Sequence, residues 1–457
     1  MSILLKSDVN NYNKPNIFHQ VFSLFSNFRY SILLFGLSIW TLSPILGIIP
    51  LLLFSQIHIS RLVTTNKPKQ NILSLNSFSL FLVLFTITII ASTYQVISDL
   101  EAYVEIYKGL GNQPFFEYMT ARSMEPVTFI IPNFIKLLFN SNAYSFILVQ
   151  ALTMNLAFML IAIRFMPSYY PTIILLNITS GNYFIQMFLM RQFYGLIFLV
   201  FFIYTFSLWQ KVILLSLAMF THSSLFLFIA PAMIALPLSD NFTQVKFKFK
   251  TMRILKRFFN NLIRNNFFFY GSLIFIIIGL PTFLVLVGNN SNLQAIFPYL
   301  IVKIDRYKDS YNYLLGLSKD LWKSVIVDIC FLLTSLLMIK FKDEDVYCYS
   351  WSIMFLVNLV ALFSFYYFLP AFGRSVYFLA GLSGFFYTIV FNSKKLTHEL
   401  NLFSSIMFMA IITKVLYFSY RIVAGSLAGQ SQIWSGNPLN ANMFDYIQYL
   451  YRGLTAV

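Results

Sequence analysis

Charged and polar side chains interrupt apolar sequence at several places, and their types suit phosphate binding, sugar binding and proton transfer. In SDLEAYVEIYKGL, Asp99, Tyr103 and Tyr107 recur every four residues and share one helical face, with Glu101 and Glu105 on another. A carboxylate beside two phenols suits sugar hydroxyls. A helix end meeting water through a tyrosine belt explains the same residues without a ligand. Next comes Arg122 with Glu125-Pro126. The helix macrodipole alone favours an acid at that point, and a carboxylate held there beside a cation also serves as a base or as an acceptor for a sugar hydroxyl. In NYFIQMFLMRQFYG, Arg191 has a long uncharged stretch on either side, with Gln192 and Tyr194 beside it. An arginine that only anchors a span belongs nearer its end. The break at Gly181-Asn182 sets a helix N-terminus nearby, a place that attracts phosphate. In MFTHSSLF, His222 separates two apolar half-helices beside Thr221, Ser223 and Ser224. It reads as a packing hydrogen bond, a proton carrier or a phosphate contact. In LPAFGRSVYFLAG, Arg374 follows a Pro/Gly turn with Tyr377 at i+3, and Arg421 has Tyr417 four residues before it. Each of these arginines alone is an interfacial anchor. Gathered on one side, they call for a further reason, and phosphate supplies it: guanidinium binds it bidentately and stays protonated when partly buried.

The elements that must hold these residues are membrane spans. Of 457 residues, 58% are hydrophobic, 19% aromatic and 11% charged, with 53 Phe, and the mean hydropathy is +0.72. A soluble protein carries about 25% charged residues. This composition excludes a water-soluble enzyme, a disordered tail protein and a disulfide-stapled secreted domain. The net charge of +16 lies in short loops between apolar runs. There it records orientation and contact with anionic lipid, and no nucleic-acid partner is expected. Cys330 and Cys348 sit in or beside different apolar segments and read as small fillers. His19, His58, His222 and His398 are scattered without metal-ligand spacing, so neither a metal nor another cofactor is expected. No cleavable leader is expected, because the first long apolar run lacks a small-residue cleavage site.

Apolar runs place spans near 31–54, 78–97, 143–163, 182–207, 267–288, 324–341, 348–369, 374–391 and 400–424. Shorter or broken helices are expected over 125–139, 168–180, and the pair 212–221 and 223–238. The expected fold is an all-α polytopic membrane protein of roughly 11–12 transmembrane or broken helices. The basic run from Lys246 to Arg257 and on to Arg264 sets 239–266 in the cytoplasm as a lipid-touching amphipathic helix. Counting outward, 98–124, 289–323, 370–374 and 425–457 face the other side. The N-terminal region is open: residues 1–30 lie outside, or residues 17–60 form a hairpin kinked at Ser43-Pro44. The chain is thus read as residues 1–77 (tail, first span or spans and basic turn), a membrane-embedded bundle over 78–424, and an outward tail over 425–457. No Walker A or GxGxxG signature appears, so the energy for any chemistry comes from the substrate.

A span leading into D…Y…Y, an outward loop ending in Glu-Pro, an Arg-Gln pair inside a span, a His-Ser helix break, a basic inner loop and a late G-R-x-x-Y together resemble the EpsG-like polysaccharide polymerases. These are related in role to the Wzy O-antigen polymerases. The resemblance covers roughly residues 75–400. It implies a metal-independent GT-C-type glycosyltransferase of the bacterial inner membrane, with its site on the periplasmic face. Such an enzyme moves a growing glycan from one polyprenyl (undecaprenyl) diphosphate to the terminal sugar of a second lipid-linked unit, building O-antigen of lipopolysaccharide or capsule. A chain-length regulator protein and membrane lipids are the other implied partners. For this chemistry Arg191 and Arg374, with Arg122 or Arg421, are the expected diphosphate ligands. Glu125, Asp99 or His222 is the expected base, and Tyr103, Tyr107, Tyr194 and Tyr377 are the expected sugar contacts. A lipid-linked-oligosaccharide flippase would show paired broken helices in both halves, which the sequence lacks. An O-antigen-ligase-type glycan transferase would use the same arginine chemistry.

Overall fold

The computed structural model describes residues 24–65, 73–93, 99–122, 125–139, 142–178, 190–204, 208–222, 384–385, 388 and 440–455. Their regular structure is helical, with no strand among them. Apart from Gly384, Phe385 and Thr388, the spans expected between residues 267 and 424 lie outside the described residues, as do the basic loop 239–266, Arg374, Tyr377 and Arg421. The chain divides into two compact units. Residues 1–201, 216–223 and 383–457 form the first, and residues 202–215 and 224–382 the second. In the second, Lys211 Nζ donates to the Phe202 carbonyl at 2.9 Å and lies 4.9 Å from the centre of its ring.

Where one span over 31–54 is expected, a short 3-10 turn (Phe25–Phe28) leads into two helices, α1 (Arg29–Leu42) and α2 (Pro44–Thr65). The break falls at Ser43, whose backbone is extended at φ −149° and ψ 95°, as the residue before a proline prefers. Pro44 then opens α2, where its missing N–H has no intrahelical partner to lose. The two helices turn back on each other. A Cβ on Gly47 would lie 2.5 Å from Trp40 Cα, so only glycine lets the backbones pass. The hairpin kinked at Ser43-Pro44 is therefore the arrangement of this region.

Three helices among the described residues are long and apolar enough to cross a membrane, over Pro44–Val63, Leu75–Ser92 and Ala143–Arg164. They belong to α2, to α3 (Leu73–Ser92) and to α7 (Ala143–Phe165). Some polar residues bond from one helix to the next. Trp40 Nε1 donates to Thr86 Oγ1 at 2.8 Å, and Ser79 Oγ donates to the Leu51 carbonyl at 2.9 Å. On α7, Leu152, Leu156 and Leu160 are exposed at four-residue spacing while Phe146, Met154 and Phe158 face inward. An exposed leucine stripe on a long apolar helix is a face that acyl chains cover.

Between α3 and α7 run α4 (Asp99–Gly109), α5 (Phe115–Ala121) and α6 (Val127–Phe139). The second long helix ends at Ser92, and Asp99 belongs to α4 instead of to its end. Lys136 of α6 donates to the Lys108 carbonyl at 2.6 Å and to the Leu110 carbonyl, satisfying the open C-terminus of α4. Tyr118 of α5 donates to the Ile106 carbonyl at 3.2 Å. Beyond α7 come α8 (Tyr170–Ile178), α9 (Met190–Tyr204) and α10 (Leu208–Thr221). The tail read as an outward loop carries a further helix, α11 (Met443–Thr455). Tyr449 of α11 donates to the Ser92 carbonyl at 2.9 Å and meets the Tyr144 ring edge-on at 4.9 Å. The end of α3 and the start of α7 are thus side by side, and the intervening segment belongs to that one end of the helix pair.

Candidate functional site

Four segments within the first unit deliver one side-chain cluster. Arg191 and Gln192 belong to α9, and the expected break at Gly181-Asn182 lies outside the described residues. Glu125 stands two residues before α6, whose first turn closes through the Phe129 N–H on the Pro126 carbonyl at 3.0 Å. His222 follows α10, its N–H still bonded to the Ala218 carbonyl at 3.0 Å. Tyr103 projects from the middle of α4, its ring edge-on to Phe129 of α6 at 6.2 Å. Two polar links set the spacing. Thr128 Oγ1 donates to the Thr221 carbonyl at 3.4 Å, which draws the end of α10 to the start of α6. Tyr194 donates to Gln150, which fixes α9 against α7.

Within the cluster Arg191 Nη1 donates to Glu125 Oε2, and Arg191 Nε donates to the Tyr103 phenol at 3.2 Å. The other carboxylate oxygen, Glu125 Oε1, stands 3.5 Å from His222 Nδ1. On the far side of that ring, His222 Nε2 is 3.4 Å from Gln192 Nε2. With the amide N–H donating to Nε2, the ring proton sits on Nδ1 and faces the carboxylate. The Arg191, Glu125 and His222 side chains are 23%, 19% and 14% exposed, so the cluster is shielded but open to a ligand.

Burial pushes the Glu125 carboxyl up, but the hydrogen bond from His222 and the charge of Arg191 outweigh it and hold it at about 2. Burial raises the Tyr103 phenol more than the adjacent Arg191 lowers it, so the phenol stays neutral beside the guanidinium. Chemically the cluster contains a cation able to accept a phosphate, a carboxylate held ionised by that cation, and a histidine oriented by the carboxylate. Among the described residues, no group of three or more His, Cys, Asp or Glu is placed to hold a metal.

The structure brings together Glu125, Tyr103 and His222, which the sequence singles out separately, with Arg191 and its neighbour Gln192. Asp99 opens α4 one turn before Tyr103, and its charge contributes to the surroundings of that phenol. Arg122 is not gathered in: it is exposed, with its guanidinium 5.6 Å from the Tyr118 ring centre. Tyr107 is fully buried, stacked on Phe146 at 4.6 Å, and Tyr194 is buried in its bond to Gln150, so both serve the helix packing. Sequence reasoning overlooks Thr128 and Gln150. A polar residue in an apolar helix face is the signal for each, and Gln150 gives it inside a span, between Val149 and Ala151. Compared with protein-family models, curated proteins and solved structures, the chain matches none.

Proposed function

We propose that this protein is a membrane glycosyltransferase that polymerises polyprenyl-diphosphate-linked oligosaccharide repeat units, in the manner of the EpsG-like and Wzy-type polymerases its motifs resemble. The observation that carries the reading is the Arg191–Glu125–His222 cluster, in which a guanidinium, a group suited to phosphate, shares a carboxylate with a histidine. In the proposed reaction, the terminal hydroxyl oxygen of the acceptor attacks the anomeric carbon of the donor glycan. The anomeric C–O bond breaks, its electron pair leaves on the diphosphate, and the hydroxyl proton passes to a base of the protein. Negative charge builds on the leaving oxygen, and a guanidinium already in place lowers that barrier. Arg191 takes this role; Arg374 and Arg421, which the sequence also offers for it, lie outside the described residues.

The hydrogen bonding also divides the labour. Glu125 in its ion pair binds a proton too weakly to serve as base, since its carboxyl is held at about 2. In the proposed cycle the diphosphate takes Arg191 for itself and displaces Glu125. The carboxylate then keeps His222 without the guanidinium, and the Glu125–His222 pair accepts the proton. Tyr103 loses its guanidinium donor at the same moment and becomes available to the bound pyrophosphate or sugar. The site belongs to the periplasmic side of a bacterial inner membrane in this reading, with lipid-linked units entering from the bilayer.

The test is reconstitution. Purified protein in vesicles with a single synthetic lipid-linked repeat unit is expected to give a ladder of longer glycans, and Arg191→Ala is expected to abolish it. Movement of the lipid-linked unit across the vesicle without elongation would make the protein a flippase. Transfer only to lipid A or protein would make it a ligase.

A further inference from the structure

The C-terminal helix α11 has a built inner side and an uncovered outer side. Its start is fixed by a reciprocal cap. Asn442 Oδ1 accepts from the Phe444 N–H at 2.8 Å, and the Asp445 carboxylate accepts from the Asn442 N–H at 2.7 Å. Inward, Tyr446 is fully buried, and Tyr449 makes the contacts with Ser92 and Tyr144 described above. Outward, Phe444, Ile447 and Tyr451 are 72%, 47% and 68% exposed and recur at i, i+3 and i+7. They make one stripe, and Arg452 is exposed beside it. The only acid of the helix, Asp445, is occupied by the cap.

Depth identifies what covers this stripe. Ser92 is the last residue of one membrane-crossing segment, and Ala143, next to Tyr144, is the first of another. A helix bonded to both ends sits at the boundary where apolar spans meet water. Aromatic side chains with a flanking cation and no free acid are the composition of that boundary. We infer that α11 lies in the lipid headgroup region, with Phe444, Ile447 and Tyr451 inserted at the acyl boundary and Arg452 against lipid phosphate. The occupant of this face is the bilayer itself. The inference needs only the spans, not the proposed reaction.

The experiment uses the full chain in nanodiscs of phosphatidylethanolamine and phosphatidylglycerol. With Cys330→Ser and Cys348→Ser as background, single nitroxide labels are placed by Phe444→Cys and Tyr451→Cys. A control label at Glu101→Cys reports the exposed acidic face of α4. Labels at 444 and 451 are expected to be reached by oxygen and protected from a water-soluble nickel chelate, at equal depth about 5–10 Å into the boundary. The label at 101 is expected to show the opposite. Nickel access at 444 and 451 equal to that at 101 would overturn the inference, as would protection from both reagents, which would mark a protein partner. If the cysteine-free chain fails to insert, the native chain decides. A phospholipid with a photoactivatable carbene precursor near its glycerol is expected to label the peptide holding Phe444 and Tyr451, and its absence from that peptide would refute the placement.

Discussion

Glu125→Gln is expected to tighten binding of a diphosphate while stopping catalysis. In the structure Arg191 is held by Glu125 Oε2 and by Tyr103, so an incoming diphosphate competes with a carboxylate already in place. A hydrogen bond to a charged group contributes about 1.5–3 kcal/mol. Both side chains are less than a quarter exposed, at 23% and 19%, so most of that value survives screening. The glutamine amide oxygen still accepts one bond from Arg191, which brings the expected gain down to about 1.4 kcal/mol, or tenfold in affinity. The assay is calorimetric titration of a short polyprenyl diphosphate into the purified protein. Glu117→Gln serves as the control, because it removes an exposed acid from α5 without touching the cluster. Glu125→Gln should bind about tenfold more tightly than the parent, Glu117→Gln equally. Unchanged or weaker binding in Glu125→Gln would refute the competition between the carboxylate and the diphosphate. No binding by the parent would refute the diphosphate reading as a whole.

Arg191→Lys should recover little of the elongation lost in Arg191→Ala, because an ammonium cannot reproduce the planar two-donor contact; ladder assays on both variants check this. His222→Asn should lower turnover by about 10²–10⁴-fold with the diphosphate affinity unchanged, a split read from single-turnover rates and titration together. The Glu125 carboxyl has a lower pKa folded, about 2, than its ordinary 4.5. Its contribution to stability is therefore complete above about 4.5 and lost as pH falls towards 2, so the melting-temperature gap between parent and Glu125→Gln should narrow on acidification. Gly47→Ala should destabilise the α1–α2 hairpin by about 1–3 kcal/mol, since its Cβ would meet the Trp40 backbone at 2.5 Å. A thermal melt that matches the parent would count against the close approach there.

The spans were legible where hydropathy and direction agree. The stretch 143–163 is the helix Ala143–Phe165, opened by Asn142, whose side chain accepts from the Tyr144 N–H at 2.9 Å. Hydropathy does not register a reversal of direction, however. The apolar run continues straight through Ser43-Pro44, so a hairpin there has the same signature as one span. The start of α3 at Leu73 was hidden for another reason: Asn76 looks like loop but donates to the Tyr170 phenol inside the packing. In the site, Glu125, Arg191 and His222 each stood out because a charge among apolar residues needs a partner. That they partner one another is a tertiary fact, since Glu125 and Arg191 are separated by 66 positions. The roles of Tyr107 and Tyr194 were obscured similarly: a shared helical face tells which way a phenol points, not whether another helix already covers it.

The most direct measurement is a cryo-electron microscopy structure of the protein in nanodiscs with a polyprenyl diphosphate bound. The account predicts phosphate oxygens within hydrogen-bond distance of the Arg191 guanidinium, with the Glu125 carboxylate withdrawn from Arg191 and still beside His222. A diphosphate bound elsewhere, with the Arg191–Glu125 pair intact, would contradict it.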